Sequence, residues 1–321
     1  MATFPVWADG LVVVATFFAI AIGAKYVVDS AASIAQHAGV SELVIGLTVV
    51  ALGTSAPEFG VTLVAAFEGR SSISVGNIVG SNIFNLGFIL GGAALVRAIP
   101  TGVLIVWRDA LVLVGATVTL YLLVGFDLEL GAGDGVILFF LLLAYLRFIW
   151  IVRKDGVLPP GDVESPPGVD MRFYWKAGSM LLVGLALVGV ASHFLIASAV
   201  QLARSFGVSE WAIAVTVVAA GTSVPEMATT LAGVVRGHTA ISAGNVIGSD
   251  IFNVLGVLGL AGMLHPMALE PAARASLLAL AGMVLVVFLM MRSGWRISRL
   301  EGMTLVALAA VRWALDVASR T

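Results

Sequence analysis

The sequence predicts an all-α integral membrane protein, with ten transmembrane helices in two inverted-topology repeats of five and helices broken at the membrane midplane. Three observations carry that expectation. The chain is 60% hydrophobic and only 11% charged, where soluble domains carry roughly 25% charge. Its charges fall between apolar stretches close to the ~20 residues that a helix needs to cross a bilayer. One block of sequence is also written twice.

Every backbone polar group in lipid needs an internal partner, so apolar runs of this length are expected as helices rather than barrel strands. They centre near Ala19, Val50, Ile83, Val114, Phe140, Leu185, Val217, Val254, Val284 and Val306. Met1 to Asp9 has no cationic stretch and no small-residue cleavage site, so the first segment is expected to stay as a helix rather than leave as a signal peptide. A net charge of −2 offers nothing to a nucleic acid, and the absence of cysteine excludes thiolate metal sites. The expected surroundings are the lipid bilayer, and no protein partner can be inferred.

Lys and Arg set the orientation. When the connections are numbered alternately, one side holds Arg97, Arg108, Arg147, Arg153, Lys154, Arg172, Lys176, Arg236, Arg292, Arg296 and Arg299. The other side holds mainly Arg70, Arg204, Arg274, Arg312 and Arg320. The richer side is expected to be cytoplasmic. Both termini then lie outside, in the cell (inner) membrane of a bacterium or archaeon.

Gly39 to Asn85 aligns without a gap onto Gly207 to Asn253 at a constant offset of 168, with more than half of the paired positions identical. GVSELVIGLTVVALGTSAPE matches GVSEWAIAVTVVAAGTSVPE, and SISVGNIVGSNIFN matches AISAGNVIGSDIFN. The offset puts five predicted helices in each copy, and an odd number of spans reverses the second copy in the membrane, as in many secondary transporters. The expected divisions are a first repeat over 1–152, a cytoplasmic linker over 153–173 and a second repeat over 174–321. The linker holds Pro159, Pro160, Pro166 and Pro167 and is too short for a folded domain of ordinary size.

Each repeat carries Gly-Thr-Ser-x-Pro-Glu in the middle of an apolar run: Gly53, Thr54, Ser55, Pro57, Glu58 and Gly221, Thr222, Ser223, Pro225, Glu226. Proline has no backbone donor and clashes with the preceding turn, so the helix breaks there. The break is expected to free carbonyl oxygens near Ala51, Thr54, Ala219 and Thr222, which lipid tolerates only where they are buried in protein or face a polar cavity. An unpaired carboxylate at that depth costs at least ~2.5 kcal/mol, so Glu58 and Glu226 are expected to be protonated or bound to a cation. Two carboxylates with neutral oxygens suit a hard cation such as calcium. The following segments add Asn77, Ser81, Asn82 and Asn85, then Asn245, Ser249, Asp250 and Asn253. Ser81 and Asn85 share a helical face, as do Ser249 and Asn253. Gly76, Gly80, Gly244 and Gly248 allow close helix approach.

Other charges read as structural. Lys25 and Asp29, four apart, are expected to form a local pair. Glu42 and Glu210 follow Ser41 and Ser209 early in their helices, where the dipole favours an acid. His193 reads as a packing residue. Asp250 stands where the first repeat has Asn82, so a charge was gained or lost on one side only. It is a candidate neighbour of the ion path with no assigned role.

The duplicated GTSxPE and GNxxGSxIxN pattern resembles the α-repeats of the calcium/cation antiporter superfamily, and most of all the prokaryotic sodium/calcium exchangers. The resemblance spans essentially the whole chain. It implies a secondary active antiporter with no cofactor, whose transported ions are calcium and sodium and which alternates access as its first and sixth helices slide over the core. By position, Glu58 and Glu226 would bind calcium together with the carbonyls of Thr54 and Thr222. Sodium would use the same glutamates with Ala51, Ser55, Ser81, Ala219, Ser223 and Ser249. Asn85 and Asn253 would form the central polar pair. Several relatives carry Asp where this chain has Asn253, and the amide here argues against potassium co-transport. The glutamate that proton-coupled relatives carry shortly after Gly-Asn is Gly80 and Gly248 here. Proton-coupled calcium antiport remains the alternative.

Two other classes fit less well. A cation channel can use inverted repeats and broken helices, but it needs a continuous pore. A hydrolase would use Ser55 or Ser223 as nucleophile and Glu58 or Glu226 as base. The repeats show no asymmetry there that would mark one active centre, and an enzyme is not expected.

Overall fold

The structure is a computed structural model and describes residues 6–152, 171–205 and 219–318. In the first half, α1 runs Val6–Ala38, α2 Glu42–Thr54, α3 Ala56–Phe67, α4 Ser71–Val96, α5 Ile105–Val124 and α6 Ala132–Val152. In the second half, α7 runs Met171–Ser205. A single turn, Ala219–Gly221, precedes α8 at Val224–Arg236. Then come α9 at Thr239–Leu264, α10 at Ala272–Ser293 and α11 at Arg299–Ala318.

Seven of the described helices are long and apolar enough to cross a membrane, or eight if α2 and α3 count as one bent span. The chain is therefore an all-helical membrane protein. α11 forms where the sequence places its tenth segment. The segment centred near Val217, with Ser209 and Glu210, and most of the linker lie outside the described residues.

The helices sort by depth. In the apolar window of α9, 83% of residues are buried, and in α4 67%, against 33% in α1 and 28% in α6 and α7. The α4 and α9 pair is thus the middle of the molecule. The peripheral helices expose Phe17, Phe18, Leu182 and Phe194, which suits hydrocarbon as the solvent and would not suit water. α1 and α7 pack along one another. A methyl group on Gly23 would meet the Gly184 carbonyl at 3.0 Å, and one on Gly184 would meet the Gly23 carbonyl at 2.9 Å. Small residues at a crossing let backbones touch, the usual means of helix association in lipid.

Proline breaks the helices where the sequence predicts. α2 and α3 meet at a bend of 48°, with Ser55 at φ −79°, ψ 8° and a proline in the first turn of α3. Ser223 repeats this at φ −87°, ψ 9° before α8. After α3 and α8 the chain turns through Gly69 and Gly237, equivalent residues at φ +71° and +90°. Glycine takes this left-handed conformation without a Cβ clash.

Four short strands connect the ends of the helices. β1 (Ile99–Pro100) pairs antiparallel with β4 (Arg296–Ile297), and β2 (Glu129–Leu130) with β3 (Met267–Ala268). β1 and β3 are equivalent at the offset of 168. α5 separates β1 from β2, and α10 separates β3 from β4, so β1 and its equivalent β3 lie at opposite ends of the helices.

α2 lies hard against α9, where a methyl on Gly244 would come within 2.7 Å of the Leu43 carbonyl and one on Gly248 within 2.6 Å of the Leu47 carbonyl. The equivalent Gly76 and Gly80 of α4 are exposed, with no described residue within 4 Å of such a methyl.

One expected local contact gives way to a longer one. Asp29 pairs with Arg236 at 2.5 Å, which ties α1 to the end of α8, while Lys25 is exposed. The guanidinium fork reaches the carboxylate from a neighbouring helix and replaces the i,i+4 pair. Glu42 sits in the first turn behind its Ser41 cap and also meets His238 Nδ1 at 2.8 Å. His193 is exposed and stands edge-on to Phe194.

The equivalent glycines should therefore respond differently to one methyl. Gly248→Ala forces the α2 backbone away and should cost about 1–3 kcal/mol, as overpacking does. Gly80→Ala should be close to neutral. Thermal midpoints of the two variants in detergent, followed by size-exclusion chromatography, give the comparison. Equal midpoints would contradict the packing described.

Candidate cation site

The site is built from the two helix breaks. Because Ser55 and Ser223 stand in the breaks and make no cap to their own helices, their hydroxyls are free to turn across the molecule. Ser55 Oγ donates to Glu226 Oε1 at 2.9 Å, and Ser223 Oγ donates to Glu58 Oε1 at 3.1 Å. Each serine thus holds the glutamate of the other repeat and not the one three residues along its own chain. Both glutamates are fully buried in the first turns of α3 and α8, where the helix dipoles favour negative charge. Their Oε2 atoms accept no hydrogen bond.

A second layer fixes the backbones that carry the acids. Asn77 Nδ2 donates to Thr62 Oγ1 at 3.1 Å and to the Glu58 carbonyl at 3.4 Å. Asn245 Nδ2 donates to Thr230 Oγ1 at 3.0 Å and to the Glu226 carbonyl at 3.4 Å. Ser74 and Ser242 add hydrogen bonds to the Thr62 and Thr230 carbonyls. The two layers are copies related by the sequence offset. The sequence reading left out Thr62 and Thr230. Their signal was available, since each lies four residues after its glutamate, on the same helical face.

Around α2 the hydroxyls converge. Thr54 Oγ1 donates to Asn245 Oδ1 at 3.1 Å, is 3.5 Å from Ser249 Oγ and reaches the Ala51 carbonyl at 3.3 Å. Ser249 Oγ approaches the same carbonyl at 3.5 Å, which also takes the Ser55 backbone N–H at 3.0 Å. The Ala51 carbonyl is therefore engaged. Pro57 offers no N–H to the carbonyl four residues before it, that of Gly53. Ser81 and Thr222 are buried with hydroxyls that have no hydrogen-bond partner. Ala219 opens the short turn before Gly221, and nothing is described of its side chain.

The central amides do not pair with one another. Asn85 Nδ2 donates to Asp250 Oδ1 at 2.9 Å, and Asn253 Nδ2 donates to Asn82 Oδ1 at 3.1 Å. Asn82 Nδ2 reaches the Asp250 carbonyl at 3.1 Å. All four are fully buried. α4 and α9 thus meet one helical turn out of register, so that each amide bonds the residue three positions before its equivalent. This brings Asp250, a residue with no role assigned from its place in the chain, into contact with Asn85.

Among the described residues no group of three or more His, Cys, Asp or Glu is arranged to hold a metal. The two glutamates are instead surrounded by neutral oxygens: hydroxyls, amides and carbonyls. Such a set can meet a hard cation without a thiol or imidazole.

Comparison with known proteins identifies the family. The family model for sodium/calcium exchanger protein matches residues 10–151 and 176–314. Inner membrane protein YrbG of Escherichia coli (strain K12) is 34% identical over 292 residues, 87% of this chain and 86% of that protein. Sodium/calcium exchanger MaX1 of Methanosarcina acetivorans is 29% identical over 320 residues, 88% of this chain and 91% of its own. The structure superposes on that of the sodium-calcium exchanger NCX_Mj soaked with 10 mM Na+ and zero Ca2+. The TM-score is 0.84 at 27% identity, covering 97% of this chain and 99% of that one. The chain belongs to the sodium/calcium exchanger family of membrane cation transporters.

Proposed function

We propose that the chain is a secondary active antiporter that exchanges calcium for sodium by alternating access, with Glu58 and Glu226 as the shared ligands of both ions. The observation that carries this reading is the reciprocal strapping of the two acids. Each is buried, held on one oxygen by the opposite repeat's serine, and left with one oxygen free. A buried carboxylate without a counter-charge is costly. A single divalent cation between the two would offset both charges at once.

Thr54, Thr222, Ser55, Ser223, Ser81, Ser249, Asn85, Asn253 and the carbonyls of Ala51 and Ala219 supply the remaining oxygens, shared out among calcium and sodium. The chain forms ten membrane helices in two halves inverted across the bilayer, with both termini outside. The crossed strand pairing, which puts β1 and β3 at opposite ends, supports the inversion. α1 and α7, joined at the Gly23 and Gly184 crossing and facing outward, are the elements that slide.

Glu58→Gln and Glu226→Gln each remove one charge from this pair. Each should weaken calcium affinity at least ~30-fold, since removing one member of a buried charge contact costs about 2 kcal/mol or more. Calcium binding to well-folded, detergent-purified variants is the measurement, and near-native affinity in either would defeat the assignment.

Exchange should also be electrogenic. In sealed vesicles an outward sodium gradient should drive calcium uptake, an imposed pH gradient should not, and a potassium–valinomycin potential should change the rate. Uptake driven by pH alone and indifferent to potential would replace sodium by protons as the coupling ion.

A further inference from the structure

We propose that Asp250 supplies a third carboxylate to the ion pathway, contacting the transported cation through Oδ2 beside the free amide oxygens of Asn85 and Asn253. The inference rests on the exchange reading above and adds a residue and a charge to it. Asp250 is fully buried in α9, the most enclosed helix. Its Oδ1 takes the Asn85 amide at 2.9 Å, and its Oδ2 has no hydrogen-bond partner. The Oδ1 atoms of Asn85 and Asn253 are likewise buried and unpartnered. Four linked side chains therefore gather three free oxygens, one of them on a carboxylate.

The equivalent position separates charge from packing. Asn82 stands where Asp250 stands in the other repeat, and its amide oxygen accepts from Asn253 at 3.1 Å, just as Asp250 accepts from Asn85. An asparagine at 250 could make the same bond. What the acid adds is a second oxygen and a negative charge. Among the described residues the ion pairs join Arg70 to Glu68, Arg108 to Asp109, Arg236 to Asp29 and His238 to Glu42, and none reaches Asp250. An acid this deep without a basic partner is either protonated or matched by a cation, and the three free oxygens here are the ligands a cation takes.

The charge has a consequence that packing does not. With Glu58 and Glu226 alone, a bound calcium leaves the site neutral. With Asp250 the calcium-loaded site carries about −1, and its movement senses the membrane potential. Calcium–calcium self-exchange isolates that step, because sodium takes no part in it.

The test uses the full chain in proteoliposomes, with radioactive calcium inside, unlabelled calcium outside, no sodium, and the potential set by potassium and valinomycin. Wild-type exchange should change several-fold over 100 mV, below the ~50-fold ceiling for one full charge. Asp250→Asn should abolish that dependence, and Asn82→Asp combined with Asp250→Asn, which moves the acid to the equivalent position, should restore it. Active wild-type exchange that ignores the potential overturns this inference alone and needs no variant to fold. An Asp250→Asn protein with wild-type voltage response overturns it too. No calcium self-exchange in the wild type would overturn the calcium reading and this inference with it.

Discussion

Two carboxylates buried in a membrane protein are the constraint around which the rest of this structure is arranged. Water cannot solvate Glu58 or Glu226, and the described residues offer them no basic side chain. Their stabilisation comes from the two broken helices. The breaks present helix N-termini to the acids and free Ser55 and Ser223 to reach across. Because each serine holds the opposite glutamate, neither repeat can form its half of the site alone. Duplication thus became interdependence, and separating the halves would leave both acids without their donors.

The same crossing recurs outward from the acids. Asn77 and Asn245 tie the glutamate backbones to the next helices. Asn82, Asn85, Asp250 and Asn253 lace α4 to α9, and the strand pairs join the helix ends of opposite halves. Polar contacts concentrate in the two most buried helices, where a hydrogen bond has no water to compete with it. The outer helices hold by small-residue contact and shed large apolar side chains outward. The polar centre is densely laced, whereas the outer helix α1 keeps one charged tie to it, from Asp29 to Arg236 at the end of α8.

The copies are nevertheless not the same. α2 closes on Gly244 and Gly248, while no described residue comes within 4 Å of a methyl on Gly76 or Gly80. Thr54 is bonded to Asn245, while Thr222 and Ser81 have free hydroxyls. Near-identical residues thus stand in different surroundings. Glycine suits both, because it allows close contact without demanding it.

The membrane class, the helical content and the position of the breaks were legible in the sequence, because apolar length, the absence of charge and the effect of proline on a helix act locally. The glutamates were legible as well, since an acid inside an apolar run is conspicuous and these two came in duplicate. What the sequence could not convey was pairing across space. Ser55 lies three residues from Glu58 and bonds Glu226. Asp29 lies four from Lys25 and bonds Arg236. Asn85 was expected to face Asn253 and meets Asp250, because the register between α4 and α9 depends on how two helices settle against each other. The strands are two residues long and carry no pattern of their own. Local chemistry was thus determined by the order of residues along the chain. Which buried oxygen faces which donor was decided only when helices distant in sequence came within hydrogen-bonding distance, where a shift of one turn exchanges every partner.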